Sequence, residues 1–117
     1  MEQIVTKIEE LSGRRRLVYI NGEQAFALYS TEVRRYGIAE GKALAQDLEQ
    51  LRTELLDKRA VKRAMYLLQA KDYTEKELTE KLQRDFYPQE SVEGALAYVR
   101  HFGYLSDERF AQMYVQF

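Results

Sequence analysis

The sequence has no cysteine, and His101 is the only histidine among its 117 residues. Without cysteine there is no disulfide framework and no thiolate zinc site. A single imidazole without a second histidine is a poor zinc ligand set, and no nucleophile with an orienting base stands out. The six glycines are scattered and form no phosphate-binding loop. The sequence therefore predicts a protein without a reaction centre, a metal or a cofactor, which indicates a binding role and not an enzyme.

An excess of one charge and long apolar runs are also lacking. Lysine and arginine number 18 against 19 aspartates and glutamates, so the formal net charge is -1. This balance argues against a domain held to nucleic acid mainly by a positive field of the whole molecule, but it allows a local basic face. No apolar run is long enough to cross a bilayer, and the first ten residues contain no signal-peptide core. We expect a cytoplasmic protein with no membrane partner.

Residues 1–29 have the pattern of β-strands. An alternating segment around Ile4–Ile8 is followed by Leu17–Ile20, and Gln24–Leu28 forms the third apolar segment. Asn21-Gly22 lies between the last two segments and is the strongest short hairpin signal, because both residues tolerate a positive φ. We predict a small three-stranded sheet. A sheet of this size is marginal alone and should pack on a helix.

Residues 30–57 are predicted to form a helical connector. A short helical piece over Thr31–Tyr36 precedes Gly37, a residue typical of the position just after a helix. A longer helix follows, with an apolar stripe at helical spacing. The stripe consists of Leu44, Leu48, Leu51 and Leu55.

Residues 58–105 are predicted to form three short amphipathic helices. The first runs from about Arg59 to Ala70. Thr74 and Glu77 form a capping box that opens the second, which carries Leu78, Leu82 and Phe86 inward and ends at Tyr87-Pro88. Ser91 is predicted to cap the third, which ends at Gly103. The fold class is therefore mainly α with a small N-terminal sheet.

Residues 106–117 are predicted to begin one more helix, capped by Ser106 or Asp107. Its apolar stripe consists of Phe110, Ala111, Tyr114 and Val115. Because apolar residues still recur at helical spacing near Phe117, we expect this helix to be the first of a second, truncated unit.

Two segments carry a resemblance to a known family: Thr74-Glu75-Lys76-Glu77-Leu78 and the segment from Tyr104 to Ala111, Y-L-S-D-E-R-F-A. In this order and spacing, the chain resembles the N-terminal portion of the RecX family of regulatory proteins, which modulate the RecA recombinase. The resemblance implies tandem three-helix repeats, with residues 58–105 as the first. It also implies a regulator of recombination, DNA repair and the SOS response that binds the RecA–DNA filament and inhibits RecA without catalysis. We expect the full-length form to be a monomer.

Two basic clusters are the candidate contacts with the filament or with phosphate. The first consists of Arg14, Arg15 and Arg16 between two strands, and the second of Lys58, Arg59, Lys62 and Arg63 on a helix. Both could neutralise phosphates or an acidic protein surface. The alternatives are a solvated helix face for the second cluster and, for the first, a solvated loop whose charges prevent strand-to-strand aggregation.

Two other functions remain open from the sequence. A small helix-turn-helix-like DNA-binding domain would read bases with the helix from Val92 to Phe102, which offers mainly Glu93, Arg100 and His101. A structural helical protein-interaction domain would use the apolar stripe of the last helix as a dimer surface. The nine tyrosines could stack on bases, although burial with the hydroxyl at the surface is the preferred interpretation for most of them.

Overall fold

The computed structural model describes residues 2–106, about half of them helical, with one three-stranded antiparallel sheet. Strands β1 (Val5–Glu10), β2 (Arg15–Ile20) and β3 (Glu23–Tyr29) lie in the order β1-β2-β3. Asn21 and Gly22 turn between β2 and β3 with φ of 50° and 84°, which confirms the predicted hairpin. The predicted small sheet is thus confirmed.

The segment after the first helix covers the outer edge of β1. Helix α1 (Ser30–Arg35) is closed by Gly37 just beyond it, as predicted, and the chain then returns to the sheet. The Val5 amide donates to the Lys42 carbonyl over 2.9 Å, and the Leu44 amide donates to the Gln3 carbonyl over 2.7 Å. Leu44 therefore lies beside the sheet and outside any helix, and its predicted place in a helix is wrong.

One continuous run of helical backbone, residues 48–70, replaces the two helices predicted on either side of residue 58. It consists of α2 (Leu48–Leu51), a π-helical segment (Arg52–Leu56) and α3 (Asp57–Ala70). The Asp47 carboxylate starts it by accepting from the Glu49 amide over 2.8 Å. No glycine or proline interrupts residues 48–70, so the predicted boundary near Arg59 had no residue to produce it.

Helix α4 (Glu75–Arg84) begins as predicted but ends early. Thr74 and Glu77 exchange capping hydrogen bonds, the Glu77 amide to Thr74 Oγ1 and the Thr74 amide to Glu77 Oε1, each 3.1 Å long. Phe86, predicted to face inward on this helix, instead lies beyond it with a φ of 65°. Its amide donates to the Gln83 carbonyl over 3.0 Å, and this closing turn ends the helix before Tyr87-Pro88 is reached.

Helix α5 (Gln89–His101) starts three residues earlier than it would if Ser91 were its cap. Pro88 takes the cap position, and Ser91 is fully buried inside the helix. Its hydroxyl donates to Asp57 Oδ1 over 2.6 Å, and Arg52 also pairs with Asp57, at 3.0 Å. Ser91 therefore joins α5 to the start of α3, because a hydroxyl without solvent access needs a partner inside the protein.

The helical run over residues 48–70 contributes to two apolar cores, one near its start and one further along. Leu51 and Leu56 pack in the sheet core with Val18 and Phe26. Further along, α3, α4 and α5 enclose a second core. Its most buried members are Ala60, Ala64, Leu78, Leu82, Val92, Ala95, Val99 and Leu105. The last helix, predicted over residues 106–117 with its stripe from Phe110 to Val115, lies outside the described residues beyond residue 106.

Two glycines should respond to alanine with opposite signs. Gly37 has a φ of 64°, whereas Gly94 lies within α5, and an added Cβ meets nothing within 4 Å at either position. Gly37→Ala should lower the free energy of unfolding by about 1 kcal/mol, since a Cβ disfavours a positive φ. Gly94→Ala should raise it by about 0.5–1 kcal/mol, because alanine favours the helix. Urea denaturation of both variants measures these values, and a shared sign would contradict the assigned backbone conformations.

Candidate functional site

Three of the seven predicted contact residues converge on one cleft. Arg15 from β2 and Arg59 and Arg63 from α3 line a cavity of about 230 Å³ between the sheet and the three-helix region. The cleft, which we call the arginine cleft, is completed by Ala27, Leu28, Tyr29, Asp85 and Tyr87. The two clusters that are distant in the sequence are therefore partly joined in the fold.

Arg59 is held by a buried carboxylate. Its two terminal nitrogens donate to the two Glu32 oxygens over 3.0 and 2.5 Å, and the Glu32 side chain is only 8% exposed. The guanidinium carbon also lies 5.1 Å from the centre of the Tyr29 ring. A bidentate pair of this kind fixes the side chain. Arg59 thus ties α1 to α3 and is not free to contact a partner.

The charge on Glu32 depends on these neighbours. Burial by itself raises the pKa of Glu32, but the hydrogen bonds from Arg59 and from the Tyr29 amide outweigh it, so the pKa is lowered overall. The hydrogen bonds that Arg59 donates to Glu32 raise the pKa of Arg59, against the opposing effect of burial. Both shifts favour the ion pair over the neutral groups.

Acid should therefore weaken the fold through Glu32. Because its pKa is lower in the folded chain than in the unfolded chain, its contribution is complete above the ordinary glutamate value of about 4.3. It is lost as the pH falls from that value through the folded pKa. We expect the wild-type free energy of unfolding to fall over this window more steeply than that of Glu32→Gln, measured by urea denaturation at a series of pH values. Parallel curves for the two proteins would contradict the assignment.

Asp85 organises the other side of the arginine cleft. Its carboxylate accepts from Arg63 Nε over 2.9 Å, and its main-chain carbonyl accepts from Arg15 Nη2 over 2.7 Å. The Asp85 hydrogen bond raises the pKa of Arg63, against the opposing effect of burial. Arg15 forms no ion pair with any residue in 2–106. The cleft thus contains one guanidinium whose charge is not neutralised by direct contact.

Tyr87 lies among these charged groups at the arginine cleft. Burial raises the pKa of the Tyr87 phenol, and the negative charge of Asp85 acts in the same direction. The positive charges of Arg59, Arg15 and Arg63 oppose the rise. The phenol therefore stays protonated at neutral pH, as a neutral group at the arginine cleft.

Lys58 and Lys62 differ from the adjacent Arg59 and Arg63 in solvent exposure and in ion pairing. Both are exposed, and neither pairs with a carboxylate within the described part of the chain. Tyr66, one turn further on, is 64% exposed. Residues four apart lie on one face of a helix, so Lys58, Lys62 and Tyr66 form one line, which we call the outer stripe. A solvated basic line with an aromatic end suits a polyanionic or acidic partner.

Arg14 and Arg16 lie outside both features. Arg14 is exposed in the β1–β2 turn with a φ of 62°, and its carbonyl accepts from the Ser30 amide over 2.8 Å. Arg16 lies 3.7 Å from an exposed Glu10 oxygen. Surface pairs of this kind contribute little to stability. The structure thus divides the predicted arginine triplet, since only Arg15 reaches the arginine cleft.

Glu32, Asp85 and Tyr87 were missed as parts of the site. Glu32 lies three residues after Tyr29, which is not a typical helix cap, and its role depends on Arg59, 27 positions away. In the sequence, Asp85 is an ordinary charged residue near the end of a predicted helix. No local signal in the sequence identifies either carboxylate as a partner of an arginine.

A larger groove elsewhere has the wrong charge for a polyanion. It has a volume of about 970 Å³ and lies between the β2–β3 hairpin, α2 and the start of α5. Its lining includes four carboxylates, Glu23, Asp47, Glu49 and Glu90. In residues 2–106, no cluster of three or more acidic or histidine side chains is placed to hold a metal ion. Within the same range, no helix has the length and apolar character that crossing a membrane requires.

Comparison with known proteins gives consistent results. Residues 60–98 match the family described as RecX, first three-helix domain. The "Regulatory protein RecX" of Caldanaerobacter subterraneus subsp. tengcongensis is 30% identical over 100 residues, which cover 85% of this chain and 51% of that protein. The protein of the same name from Clostridium acetobutylicum is 27% identical over 120 residues, covering 98% and 55%.

The chain spans about half the length of the curated relatives it matches. A solved structure, "Crystal structure of regulatory protein RecX", is 24% identical and aligns with a TM-score of 0.48, covering 97% of this chain and 57% of that one.

Proposed function

Because the chain belongs to the RecX family of regulatory proteins, we propose that it binds the RecA–DNA filament and restrains RecA activity without catalysing a reaction. The names of its relatives describe regulatory proteins. The family model matches the part of the chain that contains most of α3, all of α4 and much of α5. This match supports our proposal that the three-helix region, and not the sheet, carries the activity.

The outer stripe is the observation that carries the proposal. Lys58 and Lys62 are exposed and unpaired in the described chain, whereas Arg59 and Arg63 are engaged by carboxylates. A filament of protein on DNA offers phosphates and acidic side chains, and both attract free ammonium groups. We propose that Lys58 and Lys62 contact the filament, with Tyr66 beside them.

The repeat organisation belongs to the same proposal. We infer that residues 58–105 form one three-helix unit, which residues 30–57 connect to the sheet of residues 1–29. The second unit predicted over residues 106–117 lies outside the described residues beyond residue 106. Units stacked in one direction would add contact area along a filament. We propose action in the cytoplasm, where the RecA–DNA filament would be its partner.

The helix-turn-helix alternative has less support from the structure. On α5, Arg100 pairs with Glu75, and the His101 ring lies edge-on to Phe102 with centroids 4.9 Å apart. Glu93 accepts from the Gln89 amide group over 3.4 Å. A recognition helix needs free side chains aimed at base edges. The interaction-domain alternative uses the apolar stripe from Phe110 to Val115, which lies outside the described residues.

The test is RecA-dependent ATP hydrolysis on single-stranded DNA with increasing amounts of the purified chain. We expect a saturable decrease in the rate, and no hydrolysis by the chain alone. An unchanged rate at every concentration, with RecA and DNA both shown to be active, would overturn the proposed regulation.

A further inference from the structure

The arginine cleft has more positive than negative charge. Three guanidinium groups approach it, and within residues 2–106 the carboxylates that pair with them are those of Glu32 and Asp85. Glu32 is committed to Arg59, and Asp85 to Arg63. One positive charge, on Arg15, is left without a carboxylate partner in residues 2–106. A half-buried, uncompensated cation at a cleft is an attractive position for an anion.

Arg15 has hydrogen-bonding capacity to spare. A guanidinium offers five N–H donors. In the described chain, the hydrogen bond from Nη2 to the Asp85 carbonyl is the one that its side chain makes. That bond holds the side chain at the C-terminal end of α4, where a cation also complements the helix dipole. The side chain is therefore positioned, while most of its donors are free.

The chemistry of the lining selects phosphate. A guanidinium matches two phosphate oxygens with two parallel N–H bonds, and such charge-assisted bonds are the stronger ones. The volume of about 230 Å³ accommodates a phosphate group and some water, since one water takes about 30 Å³. We propose that the arginine cleft is a phosphate-binding site, with Arg15 as the principal donor and Arg63 as the second cation.

Asp85 acts as an internal competitor in this proposal. Its carboxylate occupies Arg63 Nε and repels an incoming anion. Asparagine at this position would keep an oxygen to accept from Arg63 and would remove the negative charge. Phosphate should therefore bind Asp85→Asn more tightly. If Arg15 merely capped α4, this substitution would give no gain in phosphate affinity.

This inference goes beyond the proposed regulation of RecA and does not depend on it. Arg59 and Arg63 immediately follow Lys58 and Lys62 along α3, so the arginine cleft adjoins the outer stripe. The phosphate could belong to a nucleic acid backbone or to a free nucleotide or ion. The shared chemistry is the phosphate group, and the experiment separates the sources.

The experiment is a titration of the chain with inorganic pyrophosphate, followed through the arginine Nε–Hε resonances by NMR. We expect saturable shifts of the Arg15 and Arg63 signals in the wild-type protein. Arg15→Gln should weaken binding about tenfold, a loss typical of charged hydrogen bonds. The neighbouring Arg14→Gln, which lies outside the cleft, should change the dissociation constant by less than about twofold. Asp85→Asn should tighten binding severalfold.

Equal losses in Arg14→Gln and Arg15→Gln would overturn the site, as would no gain in Asp85→Asn or no saturation in the wild type. Circular dichroism checks that each variant is folded, and Arg15→Lys provides a second variant that keeps the charge and should retain part of the affinity.

Parallel titrations with ATP and with a short oligothymidylate identify the source of the phosphate. Oligonucleotide binding that ignores Arg15→Gln, with no pyrophosphate binding, would also contradict the proposal.

Discussion

Reversing both lysines of the outer stripe, Lys58→Glu with Lys62→Glu, should raise the concentration of the chain needed for half-inhibition of RecA roughly 30-fold. Each substitution removes an attraction and adds a repulsion, worth together about 1 kcal/mol at an exposed site. Two sites give about 2 kcal/mol, which corresponds to the stated factor. Both side chains are exposed and unpaired in residues 2–106, so the fold should tolerate the change. The measurement is the RecA-dependent ATPase rate at a fixed, moderate salt concentration.

A matched control reverses two exposed lysines outside the outer stripe, Lys42 and Lys76. This double variant has the same net charge as the first, so it controls for non-specific electrostatic attraction. We expect its half-inhibitory concentration to stay within about threefold of the wild type. If both double variants lose inhibition equally, the outer stripe has no special role. If neither does, Lys58 and Lys62 do not contact the filament.

Replacing Glu32 with alanine should lower the free energy of unfolding by about 2–3 kcal/mol. The substitution strands the Arg59 guanidinium, whose side chain is only 26% exposed, without its carboxylate. Removing one member of a buried pair costs more than the pair contributes, since the remaining charge stays desolvated. The Tyr29 amide, 2.9 Å from Glu32 Oε1, also loses its acceptor. Urea denaturation at neutral pH gives the value.

A double-mutant cycle separates the ion pair from other effects. Arg59→Ala together with Glu32→Ala should cost clearly less than the sum of the two single variants, because the stranded charge is gone. Glu49→Ala is the matched control, an exposed glutamate in the first turn of α2, and should cost less than about 0.5 kcal/mol. Strict additivity of the two single variants would show that Glu32 and Arg59 are not coupled.

Local chemistry explains which parts of the fold could be predicted. Asn21-Gly22 specifies its own turn, and Thr74 with Glu77 caps α4, because each signal involves residues within a few positions of one another. Gly37 and Gly103 likewise end helices through their own positive φ. Such signals require no tertiary contact, so the sequence alone reveals them.

Elements that depend on distant contacts could not be predicted. Ser91 resembles a helix cap locally, but its hydroxyl is bound by Asp57, 34 positions away. The turn just after α4 puts Phe86, a bulky residue, at a positive φ, where glycine is usual. The leucine stripe from Leu44 suggested one helix, although Leu44 is in fact bonded beside β1. In each case tertiary packing overrides the local pattern.

The candidate site likewise combines residues that the sequence identifies with partners that only the fold determines. The sequence identifies basic residues, but it does not reveal which of them are neutralised by partners in the fold. Arg15 meets Asp85 across 70 positions, and Arg63 meets it across 22. Lys58 and Lys62, adjacent to engaged arginines, remain free in the described structure. The distinction between the outer stripe and the arginine cleft therefore required the three-dimensional structure.

Co-sedimentation with RecA filaments assembled on single-stranded DNA tests the proposed function most directly. Free RecA and bare DNA serve as the two reference samples. We predict that the wild-type chain sediments saturably with the filament, and that the double variant of Lys58 and Lys62 stays largely in the supernatant. A wild-type chain that remains in the supernatant with intact filaments would contradict the proposal that it binds them.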